Sequence, residues 1–160
     1  MSEYVLSIQS IEETIFLGRV IGQALSPNKV IALRGDLGAG KTTLTKGIGL
    51  ALGVEETINS PTFTIMKIYK TKREDVPFLY HLDVYRTQGS VSDFDLEEYF
   101  YLGGATVVEW ADIISDLLPS DTLYLTIKIL GESTREVVIS GNNYNLIEKV
   151  VQAFRGKKHV

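Results

Sequence analysis

Residues 35–43 read GDLGAGKTT, with Gly35, Gly40, Lys41 and Thr42 in the fixed places of the pattern G-x-x-x-x-G-K-[ST]. That spacing suits one chemistry. A glycine-rich turn lets successive backbone N–H groups approach a phosphate chain with no Cβ in the way. Lys41 adds a cation for the β- and γ-phosphates, and the Thr42 hydroxyl is placed to ligate Mg2+. A helix beginning near Lys41 turns its positive end on the same anion. The flanks agree. VIALR (30–34) is a short β-branched apolar run that reads as a buried strand. LTKGIGLAL (44–52) puts Leu44, Ile48, Ala51 and Leu52 on one helical face, with Gly53 after it as a C-cap. Strand, glycine loop and helix in this order separate a P-loop from an ordinary glycine-rich turn.

A nucleotide held with Mg2+ needs a second oxygen ligand, usually a carboxylate at the end of a neighbouring apolar strand. Glu109 ends ATVV and Asp83 ends FLYHL, so both are candidates, although a carboxylate at a strand end is often merely solvated. His81 lies two residues before Asp83 and shares its face, and it reads as a satisfied structural histidine. Thr62, after Pro61, is either a switch-type hydroxyl near the γ-phosphate or a turn residue. Arg86 is an anion contact or a surface ion pair. Trp110, the one tryptophan, is a core or rim aromatic, or else it flanks the nucleotide. The acidic stretch 93–98 reads first as a solvated face and second as a docking surface.

The elements that must position these residues follow from patterning. YVLSI (4–8) alternates like a strand. Ser10 and Glu13 have capping-box spacing before a helix from Ile11 to about Leu25, with Ile11, Ile15, Gly18, Ile21 and Leu25 on one face. SPN (26–28) is a turn. FTIMKIY (63–69) and PFLYHLD (77–83), joined by a charged loop, suggest an antiparallel hairpin. Residues 92–102 form a short helix with Ser92 as N-cap, 105–110 a strand and 112–118 a short helix. Residues 122–130 and 135–140 are strands around a GEST turn, and Leu146, Ile147, Val150, Val151 and Phe154 mark a last helix. The fold class is α/β, a P-loop NTPase-like mixed sheet with helices on both faces, in one domain over 1–160. In such sheets ligands sit at the carboxyl ends of the strands.

Composition narrows the function. A net charge of −4 argues against a broad nucleic-acid surface, which needs clustered Lys and Arg. With no cysteine there is no disulfide, thiolate metal site or cysteine nucleophile. No apolar run approaches the roughly 18 residues of a membrane span, and the N-terminal residues lack the layout of a signal peptide. The expected location is cytoplasmic.

GDLGAGKTTL, then SPTF (60–63), then HLDVYR (81–86), then EW (109–110), in this order and at these separations, resemble the bacterial TsaE family, also called YjeE. That family is the ATPase of tRNA threonylcarbamoyladenosine biosynthesis. Many proteins share the first motif; the joint occurrence of S-P-T, H-x-D-x-Y-R and E-W is far more specific. The likeness runs from the first helix to the last hairpin. It implies slow ATP hydrolysis in support of a transferase complex, with partners of the TsaD and TsaB type. It also implies that tRNA is reached through that complex rather than by a basic surface of this chain. Carried over, Gly38, Ala39, Gly40, Lys41, Thr42 and Thr43 hold the phosphates, and Thr42 and Glu109 ligate Mg2+. Asp83 belongs to the motif required for hydrolysis, Thr62 to a switch-like loop, and Trp110 lies near the nucleotide. Ser10 matches a position near the base, and Arg135 is a weaker candidate for nucleotide contact. Val84 stands where leucine is usual, a conservative change.

The alternative is a small P-loop kinase of a nucleoside or other small molecule. Such kinases usually carry a mobile lid with several arginines. Between Thr71 and Leu118 only Arg73 and Arg86 occur.

Overall fold

The computed structural model describes residues 2–36, 38–60, 66–84, 96–109 and 111–157. In chain order the elements are β1 (Ser2–Ile8), α1 (Ile11–Ala24), β2 (Val30–Gly35), α2 (Lys41–Leu52), β3 (Met66–Lys70), β4 (Phe78–Asp83), α3 (Leu96–Tyr99), β5 (Ala105–Glu109), a 3₁₀ segment (Ala111–Leu117), β6 (Leu123–Ile129), β7 (Arg135–Gly141) and α4 (Tyr144–Lys157). The strands form one sheet in the order β1-β7-β6-β2-β5-β4-β3. β2 runs parallel to both β5 and β6, and β4 parallel to β5. The outer strands are antiparallel: β3 on β4, β7 on β6 and β1 on β7. The sheet is mixed, as the patterning predicts, and the hairpin of β3 and β4 is present. Residues 63–65, 92–95 and 110 of the expected elements lie outside the described residues.

Strand alternation divides the core in two. Ile31, Leu33, Leu79, Val107, Leu123, Leu125 and Ile127 pack on one face against Leu17, Ile21, Leu44, Ile48, Leu52, Ile147 and Phe154 of the three long helices. Their neighbours Val30, Ala32, Tyr80, Leu82 and Val108 pack on the other face with Phe100 and Ile114. β2 and β5 are apolar on both sides because they lie at the sheet centre, covered on both faces. Among the described residues the second face receives short pieces: α3, which ends at Tyr99 where the sequence suggested Leu102, and the segment after β5, which is 3₁₀.

Helix α1 is rotated from the expected face. It buries Thr14, Leu17, Gly18, Val20, Ile21 and Gly22, while Ile11 is 57% exposed. The cause is its seam with α2. A Cβ at Gly18 would collide with the Leu44 carbonyl oxygen, and one at Gly47 with the Ile15 carbonyl oxygen. The two backbones therefore touch at glycines, and that approach sets the rotation more strongly than the isoleucines do.

The far ends of these helices are tied by the turn between β3 and β4. Arg73 donates to the carbonyls of Gly22 (3.1 Å), in the last turn of α1, and Leu25 (2.9 Å), its C-cap, and is held by Asp75. The Lys72 amide donates to Leu52 O at 3.0 Å, at the end of α2. These contacts add donors at the helix ends, where carbonyls run out of intrahelical partners; Gly22 O also accepts from the Leu25 amide at 3.3 Å. They lie a whole helix, about 18 Å for twelve residues, from the start of α2.

The seam yields a paired expectation. Gly18→Ala should lower stability by about 1–3 kcal/mol, because two backbones must part. Gly156→Ala, in α4 with nothing within 4 Å of the new Cβ, should raise it by up to about 1 kcal/mol. Urea unfolding of both variants measures this, and equal effects would contradict the seam.

Candidate functional site

The glycine turn joins β2, at the sheet centre, to the first residue of α2. Ala39 N–H donates to Asp36 O at 2.9 Å, and Leu44 N–H to Gly40 O at 2.9 Å, which closes the first helical bond. Gly40 is the N-cap with φ +115°, a conformation that side-chain-bearing residues rarely adopt. A glycine cap offers no side-chain oxygen, so the first-turn amides of α2 have no capping side chain. Such an end suits an anion. Lys41 is buried to 7% exposure, and its Nζ donates to Gly35 O at 2.7 Å. Thr42 and Thr43 follow on the same turn, both half-buried.

Parallel register brings the two carboxylates to the same level. Asp83 of β4 pairs with Glu109 of β5, and Glu109 with Leu33 of β2. All three have the parity that faces α2, as do Leu79, Val107 and Ile31. Glu109 is 4% exposed and Asp83 5%. Glu109 Oε1 lies 4.0 Å from Lys41 Nζ, and its Oε2 lies 2.6 Å from His81 Nε2. An ionised carboxylate only accepts, so His81 Nε2 carries the proton of that bond. His81 is fully buried, and its Nδ1 has no hydrogen-bond partner among the described residues. The reading of His81 as a satisfied histidine is therefore corrected. It is half satisfied, and its one bond goes to a candidate metal ligand.

The start of α1 closes the loop from another side. Its capping box is complete: Glu13 N–H donates to Ser10 Oγ at 3.2 Å, and Gln9 N–H to Glu13 Oε1 at 2.9 Å. Thr14, one turn on and buried, lies 3.8 Å from where a Cβ of Gly40 would stand. Ser10 thus sits at the end of α1 that abuts the loop. Thr14 was not singled out from sequence; a polar residue on an otherwise apolar helical face was its only signal.

Arg135 also reaches the loop, but through backbone. Its Nε donates to Ala39 O at 2.8 Å, and its Nη2 lies 3.5 Å from Gly38 O. A cavity of about 520 Å3 opens between the carboxyl ends of β2 and β6, lined by Gly35, Asp36 and Lys41 and by Thr126 to Ile129. Arg34, over the Tyr124 ring at 5.1 Å, and Lys128 add positive charge to its rim. Sequence reasoning passed over both, although each is a basic residue near the carboxyl end of an apolar strand. Thr62, Arg86 and Trp110 lie outside the described residues.

Among the described residues no group of three or more His, Cys, Asp or Glu is placed to hold a metal ion. Glu109, Asp83 and Thr42 are oxygen donors around the loop, which suits a hard cation that completes its shell with phosphate oxygens and water. No helix among the described residues is long and apolar enough to cross a membrane.

A family model described as "Threonylcarbamoyl adenosine biosynthesis protein TsaE" matches residues 8–137. The chain is 43% identical over 138 residues to the tRNA threonylcarbamoyladenosine biosynthesis protein TsaE of Bacillus subtilis, covering 85% of each chain. It is 36% identical to the protein of the same name from Treponema pallidum, over 82% of this chain and 96% of that one. The crystal structure of Bacillus subtilis YdiB superposes with a TM-score of 0.76 at 35% identity, over 95% of this chain and 96% of that one.

The His81–Glu109 bond is open to a stability test. His81→Leu leaves a buried carboxylate without its close donor and should cost about 1–3 kcal/mol in urea unfolding. In a double-mutant cycle with Glu109→Leu the two losses should be clearly less than additive. Additive losses would show the bond to be without consequence.

Proposed function

The chain belongs to the TsaE family, and on that premise we propose that it binds Mg–ATP at the β2–α2 loop and hydrolyses it slowly. In this reading it is a subunit required for tRNA N6-threonylcarbamoyladenosine modification, acting in the cytoplasm with threonylcarbamoyl transferase subunits of TsaD and TsaB type. The observation that carries the ATP reading is the convergence of Lys41, Glu109 and Asp83 on the helix side of adjacent parallel strands, beside a glycine-capped helix start.

Each residue then has a task. The amides of Gly38 to Thr43 and the first turn of α2 receive the phosphates. Lys41 exchanges its bond to Gly35 O for the β- and γ-phosphate oxygens. Thr42 and Glu109 hold Mg2+, and His81 fixes the Glu109 carboxylate from behind. Bound there, Mg2+ supplies charge neutralisation of the phosphates. Asp83, one strand further out, orients the attacking water. Thr62 and Trp110 join from the segments that follow α2 and β5, and Ser10 stands near the base.

The kinase alternative loses support. Arg73, one of the two arginines available to a lid, is spent on the carboxyl end of α1, far from the loop.

Two experiments test the reading. In cells depleted of their own family member, the wild-type chain should restore threonylcarbamoyladenosine in tRNA. Lys41→Ala should not, and its ATP turnover in vitro should fall by about 10²-fold or more. The two carboxylates should separate. Glu109→Gln should raise the Mg2+ midpoint along with the loss of rate. Asp83→Asn should lower kcat with little change in ATP affinity. The opposite pattern would reverse their roles, and normal turnover in both variants with partners present would remove both from the chemistry.

A further inference from the structure

We propose that Arg135 is a positioning residue of the phosphate loop, which it ties to the β6–β7 turn so that the loop holds its shape before any ligand arrives. The anchor is rigid. Arg135 opens β7 and pairs with Ile129 on one side and with Ile8 on the other. Its Nη1 is spent on the turn itself, donating to Gly131 O (2.8 Å) and Thr134 O (2.9 Å), with Glu132 O at 3.4 Å. The Leu130 and Gly131 amides both close that turn on Thr134 O. What remains of the guanidinium reaches across to the loop: Nε to Ala39 O and Nη2 toward Gly38 O.

The consequence follows from the planar trans peptide. A carbonyl held toward Arg135 sends the N–H of the same peptide unit the opposite way. Fixing Ala39 O therefore aims the Gly40 amide away from Arg135, and the contact to Gly38 O does the same for the Ala39 amide, which meets Asp36 O. Gly38 and Gly40, at φ +83° and +115°, carry no side chains to restrain the loop; Ala39 between them is seated in the core, and its carbonyl is what Arg135 holds. A charged, forked donor bound to a sheet strand supplies it. Lysine, a single point donor on a flexible stem, does not match two carbonyls and a turn together. The consequence for nucleotide affinity rests on the ATP reading above; the loop's order does not. Sequence resemblance offered Arg135 as a nucleotide contact; its hydrogen bonds run to the loop's backbone, and the experiment separates the two roles.

The test is amide hydrogen exchange in the full-length, nucleotide-free protein, comparing wild type, Arg135→Lys and Arg135→Met. In both Arg135 variants the Ala39 amide and the peptide spanning residues 35–41 should exchange about tenfold faster or more, with the interior amides of β2 and α2 unchanged. In calorimetry, ATP, ADP and inorganic tripolyphosphate should weaken by the same factor in the Arg135 variants. Unchanged loop exchange together with weaker ATP binding would overturn the proposal in favour of direct ligand contact, as would full rescue by lysine. If Arg135→Met loosens the whole fold, the milder Arg135→Lys decides. Failure of the wild-type chain to bind any nucleotide would sink the ATP reading, while the exchange result would still decide the loop's tether.

Discussion

An ammonium buried to 7% exposure is the constraint around which this end of the molecule is arranged. A charge out of water is tolerated only with partners. Lys41 has the Gly35 carbonyl at 2.7 Å and the Glu109 carboxylate at 4.0 Å. Glu109 in turn is fixed by His81. Lysine, glutamate and histidine thus form a short chain from α2 across β5 to β4. It exists only because parallel register puts the ends of β2, β5 and β4 level. Shifting β5 by a single residue would turn the Glu109 carboxylate to the opposite face of the sheet, away from Lys41.

The long helices divide their two ends between different tasks. The starts of α1 and α2 meet at the loop, where Thr14 touches Gly40 and the glycine N-cap leaves amides open to an anion. Their carboxyl ends are closed by Arg73 and by the Lys72 amide from the β3–β4 turn. Between the ends, contact at Gly18 and Gly47 leaves no room for sliding. A rigid pair of helices is what a loop spanning a few residues needs, since two of its described residues, Gly38 and Gly40, carry no side chain to pack.

Local features were legible in the sequence. The G-x-x-x-x-G-K-T spacing, the capping box at Ser10 and the hairpin of β3 and β4 are encoded within short stretches, and each is found where the pattern put it. Glu109 and Asp83 were found as ends of apolar runs, and the register that aligns them is the sheet's own. What the sequence hid is long-range. The rotation of α1 depends on glycines of another helix, so Ile11 was misplaced. Arg135 reaches backbone atoms 96 positions away, and carbonyls carry no residue code to read. The bond from His81 to Glu109 was not readable because the two are 28 residues apart and on different strands.

The most direct measurement of the central claim is a calorimetric titration of the nucleotide-free chain with ATP, ADP and AMP, each with and without Mg2+. The proposed reading, in which the loop amides and Lys41 take the β- and γ-phosphates and Glu109 a metal, predicts one site per chain for ATP and ADP, tighter when Mg2+ is present, and negligible binding of AMP, which lacks those phosphates. AMP bound as tightly as ATP, or ATP affinity indifferent to Mg2+, would contradict it.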